Sequence, residues 1–382
     1  MKGEKHSRIP CAIVRGGTSK GVIIEKRYLP EDPILRDFII TDIFGSESHG
    51  QIDGLGGATP LTSKVAIVEK SDQPGIDVNY TFGQVCIESN DIDYSINCGN
   101  ISAAVGLFSI QENLVPTQRL HTPIRILNTN SNRLITAQIT NNDEITKAKE
   151  KDYLLSEASI SLVFENPVGA KTGKLLPTGK VVDYIKLSNL RSIQVSVVDS
   201  GTVYIFIDAA QLQISGIEKI LEIEKNTQLL QSLKKIKSKV RGLIFDNCKP
   251  QHINIKVALV SPAQPFKTED GQKIKSGEIQ IISKIVNFNK VHTAYAVTGA
   301  VCLSTAMLIK GTVIEKIQIG FKESSKKVRI GHPSGIIEAK LEYYRENQEL
   351  VIKNINITRT ARRIMDGFVY LKSPYQVNKY TK

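Results

Sequence analysis

The stretch SINCGNISAAVGLFSI, Ser95 to Ile110, sets one cysteine between two asparagines and a glycine, ahead of a run that carries no charge. In that run Ile101, Ala104, Val105 and Phe108 make one helical face, while Ala103, Gly106 and Leu107 leave the other faces nearly as apolar. A helix apolar on all sides belongs inside a core. A second run of this kind follows VTG, extends from Ala300 to Ile309 and stops at Lys310-Gly311, a basic residue and then a terminating glycine. The chain thus holds two buried helices, one in each half.

Around these helices the sequence is mostly strand. CAIVRGG, SKVAIVEK, QVCIES, PIRILNT, LITAQIT, IQVSVVDSGTVYIFID, INIKVALVS and LEYYRENQELVIKNINI are β-branched, often alternating, and bounded by turn residues. Strands before and after each buried helix imply a curved sheet wrapped around a central helix, formed twice, although no residue-by-residue repeat is evident. The surface helix reads over Gly216–Lys237, where Ile217, Ile220, Leu221, Leu229, Leu230, Leu233 and Ile236 recur at helical spacing. Ile139–Asp152 is polar and reads as a solvated excursion. Pro177, Gly179 and polar neighbours precede a fresh run of strands, which places a domain boundary near residue 190. The expected domains are 1–190 and 191–382, with a C-terminal segment able to return to the first.

At 382 residues the chain suits two domains. The opening MKGEKHSRIP lacks the apolar segment of a secretory signal, and the uncharged run Ala294–Ile309 falls short of the roughly 20 residues of a membrane span. A cytoplasmic protein without membrane partners is expected. Five separated cysteines, Cys11, Cys86, Cys98, Cys248 and Cys302, form no CxxC pair and suggest thiols rather than disulfides or zinc ligands. His49, His292 and His332 are scattered singly, so no metal is expected. The net charge of +12 is spread along a chain without tryptophan or a basic helical face, which argues against nucleic acid and is compatible with small polyanions. The sequence allows a homo-oligomer and does not fix the oligomeric state.

Four small-residue segments bear chemistry: RGGTSKG (Arg15–Gly21), QIDGLGGATPLTSK (Gln51–Lys64), NCGN (Asn97–Asn100) and VTGA (Val297–Ala300). Their glycines bring backbone N–H groups near hydroxyls and amides, which suits carboxylate or phosphate oxygens. None fits a dinucleotide fingerprint or a Walker loop. Cys98 at a helix N-terminus is either a packed thiol or one whose thiolate the helix end stabilises. Lys64 opens an apolar strand, either as a strand-end lysine reaching water or as a desolvated amine usable as a base.

The segments IPCAIVRGGTSKG, QIDGLGGATPLTSKVAIV, VNYTFGQV, NCGNISAAVGLFSI, KTGKLLPTGKVVD, GHPSG and RTARRIMDGFVYL, in order from Ile9 to Leu371, resemble the PrpF family of allylic isomerases, whose fold is similar to diaminopimelate epimerase. The resemblance implies an α+β fold of two similar domains, each a β-barrel-like sheet around a central helix, with no metal or organic cofactor. It implies proton transfer across an allylic system in a small unsaturated di- or tricarboxylate, 2-methylaconitate or methylitaconate foremost, with 4-oxalomesaconate or aconitate as alternatives. Carried over by motif, the catalytic residues are Lys64, Cys98 and Ser19. Thr18, Asn97, Gly99, Asn100, Thr298 and Gly299 are expected to bind carboxylate. Lys64 leads as the base, although it and Cys98 could exchange roles.

Two departures from the family pattern matter. The epimerases place a second cysteine at the start of the second central helix, where this chain has Thr298, so a two-thiol racemase is disfavoured. Thr202-Val203 stands where many relatives carry Asn-Pro, which unsettles the choice among substrates. A non-catalytic polycarboxylate-binding protein is the alternative of another class; retention of Ser19, Lys64 and Cys98 argues against it.

Overall fold

The computed structural model describes residues 8–372, apart from 88, 119–120, 141–157, 189–190, 246–252, 288, 323 and 348. The chain forms two units, one of residues up to Val163 together with those from Thr358 onward, the other Phe164–Ile357.

In the first unit the elements are β1 (Arg8–Gly16), β2 (Ser19–Glu25), α1 (Pro33–Phe44), β3 (Lys64–Lys70), β4 (Val78–Val85), β5 (Ile92–Asp93), α2 (Gly99–Gln111), β6 (His121–Asn128), β7 (Arg133–Thr140) and the start of β8 (Ala158–Glu165). Strand β1 pairs antiparallel with β2, β2 parallel with β3, β3 antiparallel with β4, β4 parallel with β6, and β6 antiparallel with β7. Every residue of α2 is buried. It packs on β1, β2, β3, β4, β6 and β7, so the sheet curves around it as its all-apolar sequence requires. Helix α1 covers the sheet's other face, where Ile39, Ile40, Ile43 and Phe44 meet Ile9, Val22, Ile24, Val65 and Ile67.

The second unit continues with β9 (Asp183–Ser188), β10 (Arg191–Ser200), β11 (Thr202–Asp208), α3 (Ile220–Lys225), α4 (Thr227–Ile244), β12 (Lys256–Pro262), β13 (Phe266–Lys267), β14 (Lys273–Ile274), β15 (Ile281–Asn287), β16 (Lys290–Val291), α5 (Val297–Met307), α6 (Val313–Ile317), β17 (Lys327–His332) and β18 (Gly335–Glu346). The long β19 (Glu349–Tyr370) begins here, and its later residues pair with β1 of the first unit's own sheet. From β10 through β11, β12, β15, β17 to β18 the ladders run antiparallel, parallel, antiparallel, parallel, antiparallel. That is the order found from β1 to β7. Helix α5 is buried throughout and packs on β10, β11 and β18. The two units are therefore one α+β topology built twice, a duplication that pairing registers reveal and residue identities do not.

Several expectations need correction. The boundary falls at Val163/Phe164 rather than near 190, because β9 pairs with β10 and the loop before it is tied to β10: the Asp199 carboxylate accepts from Lys171 N at 2.9 Å, Thr172 N at 2.6 Å and Thr172 Oγ1 at 2.9 Å. Its burial pushes the Asp199 carboxyl up, and these donors pull it part of the way back. The surface helix is two helices broken at Asn226, whose side chain accepts from Leu229 N and starts α4 afresh. Of the polar excursion, Ile139 and Thr140 belong to β7 and the rest lies outside the described residues. The second central helix starts at Val297 and ends at Met307, so Thr298 and Gly299 lie in its first turn. Thr202 and Val203 are ladder residues of β11, paired with Ser200 and Asp199. Among the described residues no helix is long and apolar enough to cross a membrane.

Candidate active site

The candidate chemistry gathers at the N-terminus of α2. Cys98 is its N-cap, with extended backbone, and its carbonyl accepts from Ser102 N at 3.1 Å and Ser102 Oγ at 3.3 Å. The thiol makes no capping hydrogen bond, so it is left available at the positive end of the helix. The other described thiols differ. Cys11 sits in the core beneath α1, where burial pushes it up to about 11, and Cys302 is buried with Sγ donating to Val198 O. Cys86 is half-buried, and Cys248 lies outside the described residues.

The β1–β2 hairpin lies directly on the first turn of α2. Gly16 makes this possible, since a Cβ there would stand 2.0 Å from the Asn100 carbonyl oxygen. Gly17, at φ 50°, would meet Asn100 Oδ1 at 2.5 Å. Asn100 is buried, and its Nδ2 donates to Thr18 Oγ1 at 3.0 Å and to Ser19 Oγ at 3.4 Å. Gly16→Ala is expected to lower stability by about 1–3 kcal/mol, because backbone rather than a flexible side chain must yield. A thermal melt of the variant checks this.

Lys64 is the first residue of β3 and is buried. Its Nζ donates to Gln84 Oε1 at 2.7 Å and lies 5.2 Å from the centre of the Phe82 ring. Gln84 is itself fixed by donating from Nε2 to Ser63 O at 2.8 Å, and Ser63 Oγ donates to Gln51 Oε1 at 2.5 Å. Burial pushes the Lys64 ammonium below its ordinary range, and nearby Cys98 offsets this in part. Among the described residues no carboxylate contributes to that balance. The strand period places Tyr80, Phe82 and Gln84 on one face of β4, opposite Val68, Ala66 and Lys64 of β3. Tyr80 is fully buried within the electrostatic reach of Cys98.

Arg359, absent from the expected site, completes the group. Its Nε donates to Asn100 Oδ1 at 3.2 Å and Nη1 to Thr358 O at 3.0 Å. Burial lowers the guanidinium to about 10, with Cys98 acting in the opposite sense. The neighbouring Thr360 holds the hairpin: its carbonyl accepts from Gly17 N at 2.7 Å, and its hydroxyl from Arg15 Nη1 at 3.1 Å. The segment RTARR was legible as a motif, but nothing local announces that its first arginine meets Asn100.

The structure thus brings together Thr18, Ser19, Lys64, Cys98, Gly99 and Asn100. Asn97 adjoins them, its Oδ1 enclosed without a hydrogen-bond donor among the described residues. Thr298 and Gly299 belong to the second unit, in the first turn of α5, where the Cα of Gly299 abuts Tyr204, Tyr295 and Ile285. The equivalent of β3 there is β12, which opens with a half-buried Lys256, its Nζ 5.8 Å from the Tyr204 ring centre. No group of histidines, cysteines and carboxylates able to hold a metal occurs among the described residues.

The PrpF protein family model matches residues 6–372. The chain is 37% identical to a 3-methylitaconate isomerase of Eubacterium barkeri, covering 96% of this chain and 97% of that protein. It is 31% identical to a 2-methyl-aconitate isomerase of Cupriavidus necator, covering 95% and 96%. A crystal structure of a methylitaconate-delta-isomerase superposes with a TM-score of 0.76 at 36% identity, covering 96% of each chain. With its doubled sheet-and-helix topology matched over nearly its whole length, the chain belongs to the PrpF family.

Proposed function

We propose that this chain, an isomerase of small carboxylates, moves a proton across an allylic system in an unsaturated di- or tricarboxylate, using Lys64 as base and Cys98 as acid. The observation that carries the reading is the buried Lys64 amine near a thiol at a helix N-terminus, with no carboxylate among the described residues acting on the amine. Burial favours the neutral amine, and the helix end and Arg359 favour the carboxylate of a bound substrate.

The neutral Lys64 amine takes a proton from the carbon next to the C=C bond. The released electron pair forms a new C=C, and the former double-bond pair moves onto the carbon conjugated with the carboxylate, giving a dienolate. The Cys98 thiol delivers its proton to that far carbon, leaving a thiolate and an ammonium that re-equilibrate with water. In a cis-trans isomerisation the bond that becomes single rotates before a proton returns. A positioned general base contributes roughly 10²–10⁴-fold, so stabilising the delocalised anion must supply much of the remainder. Ser19, Thr18, Gly99 and Asn100 of the first unit are suited to that task.

The names of the relatives support methylitaconate or 2-methylaconitate as the substrate. Reliance on a thiol suits a reducing cytoplasm. The test is incubation with these acids, with oxalomesaconate and with aconitate in deuterated water, following isomer formation and solvent label by NMR. Isomerisation with label at an allylic carbon is expected. Binding without label uptake or isomerisation of any of these acids would overturn the isomerase and leave a polycarboxylate-binding protein.

A further inference from the structure

We propose that Arg359 is the residue that grips the substrate carboxylate into which the dienolate charge spreads. This rests on the reading of the site as an allylic isomerase, which requires a cation that Lys64 cannot supply. A base must be neutral when it takes the proton, and a lysine that becomes ammonium afterwards is no anchor for the incoming acid. Arg359 is the fixed charge. Even lowered to about 10 by burial, its guanidinium remains protonated at neutral pH.

Its placement fits a carboxylate rather than a structural ion pair. Among the described residues, burial and Cys98 are what weigh on the guanidinium, and no carboxylate is among them. Among the described residues it bonds from Nε to the Asn100 amide and from Nη1 to Thr358 O, which leaves Nη2 and the second Nη1 hydrogen for a ligand. Asn100 is committed on both sides, Oδ1 to Arg359 and Nδ2 to Thr18 and Ser19, so the amide holds guanidinium and hydroxyls in one array around the thiol's helix end. A Cβ at Gly17 would stand 3.0 Å from Arg359 Cδ, so the hairpin leaves the arginine stem just the room it occupies. A planar guanidinium can offer two parallel donors to a carboxylate, which a lysine cannot.

The experiment compares wild type, Arg359→Gln and Arg359→Lys in two assays. One is calorimetric titration with tricarballylate, a saturated tricarboxylate that cannot isomerise; the other is kcat and KM on the acid the wild type turns over. Arg359→Gln is expected to weaken tricarballylate binding and to lower kcat/KM by roughly 10²–10³-fold, as when one partner of a buried charge pair is removed. Arg359→Lys should recover part of the binding and less of kcat. Tricarballylate bound by Arg359→Gln as tightly as by wild type overturns the proposal, even if turnover falls. Should Arg359→Gln not fold, Arg359→Lys decides: wild-type binding and wild-type kcat together overturn the carboxylate fork. If the wild type isomerises nothing but binds tricarballylate in an Arg359-dependent way, the grip stands and the isomerase falls. If the wild type does not bind tricarballylate at all, the proposal falls with it.

Discussion

Replacing Lys64 by methionine is expected to lower kcat by roughly 10²–10⁴-fold, the range a positioned base supplies, with the fold retained. Methionine has nearly the length of the lysine stem and no charge to desolvate. What is lost is the donor to Gln84 Oε1 and contact of the ammonium with Phe82, a modest change in a site whose other bonds are independent of it. The pH dependence gives a sharper check. The native amine titrates below its ordinary value of 10.5 because it is buried, so in that window the folded protein binds fewer protons than the unfolded chain. Stability contributed by this group therefore rises with pH up to about 10.5, and kcat/KM rises as the amine loses its proton. Both slopes should flatten in Lys64→Met, read by thermal melts and by initial rates across pH. Wild-type turnover in this variant would remove lysine from the mechanism.

The site is legible from sequence to the extent that its chemistry is local. Cys98 was legible as a candidate, packed or reactive, because a helix end and a core helix coincide within Ser95–Ile110, and the structure makes it the N-cap. Lys64 was ambiguous alone: a lysine opening a strand reaches water or is buried according to what packs over it, and its partners Gln84 and Phe82 come from another strand, β4. Arg359 was out of reach because its partner Asn100 is 259 positions away and their meeting depends on β19 pairing with β1. VTGA looks like NCGN in sequence, yet its turn is packed by Tyr204 of β11 and by Tyr295 of the segment just before α5.

The fold shows the same division. Two all-apolar runs were enough to identify the central helices, because no other environment accepts them. Helix α1 went unread although its signals are ordinary: Asp32 caps Leu35 N at 2.8 Å, Pro33 opens the helix and Gly45 closes it at φ 67°. Its isoleucines favour strand, and packing against the sheet overrides that preference. The domain boundary was misplaced because a loop rich in glycine and proline looked like a linker, while its backbone is bound to Asp199.

Replacing Cys98 by alanine should lower isomer formation by roughly 10²–10⁴-fold, as for the base, but with a different labelling pattern. If Lys64 takes the first proton and Cys98 gives the last, the Cys98→Ala enzyme can still form the dienolate and return a proton to the carbon it came from. In deuterated water the lysine ammonium exchanges with solvent, so the recovered substrate should carry deuterium at the allylic carbon while the isomer barely accumulates. Lys64→Met should show neither label nor isomer. The converse, label in substrate with Lys64→Met and none with Cys98→Ala, would assign the first proton to the thiol and reverse the roles. Folding is not at issue in the comparison, since Cys98 is half-exposed and its side chain caps nothing; its carbonyl, which holds Ser102, survives the substitution. A Cys98→Ala enzyme with wild-type rates would leave the thiol as packing and require water to supply the second proton.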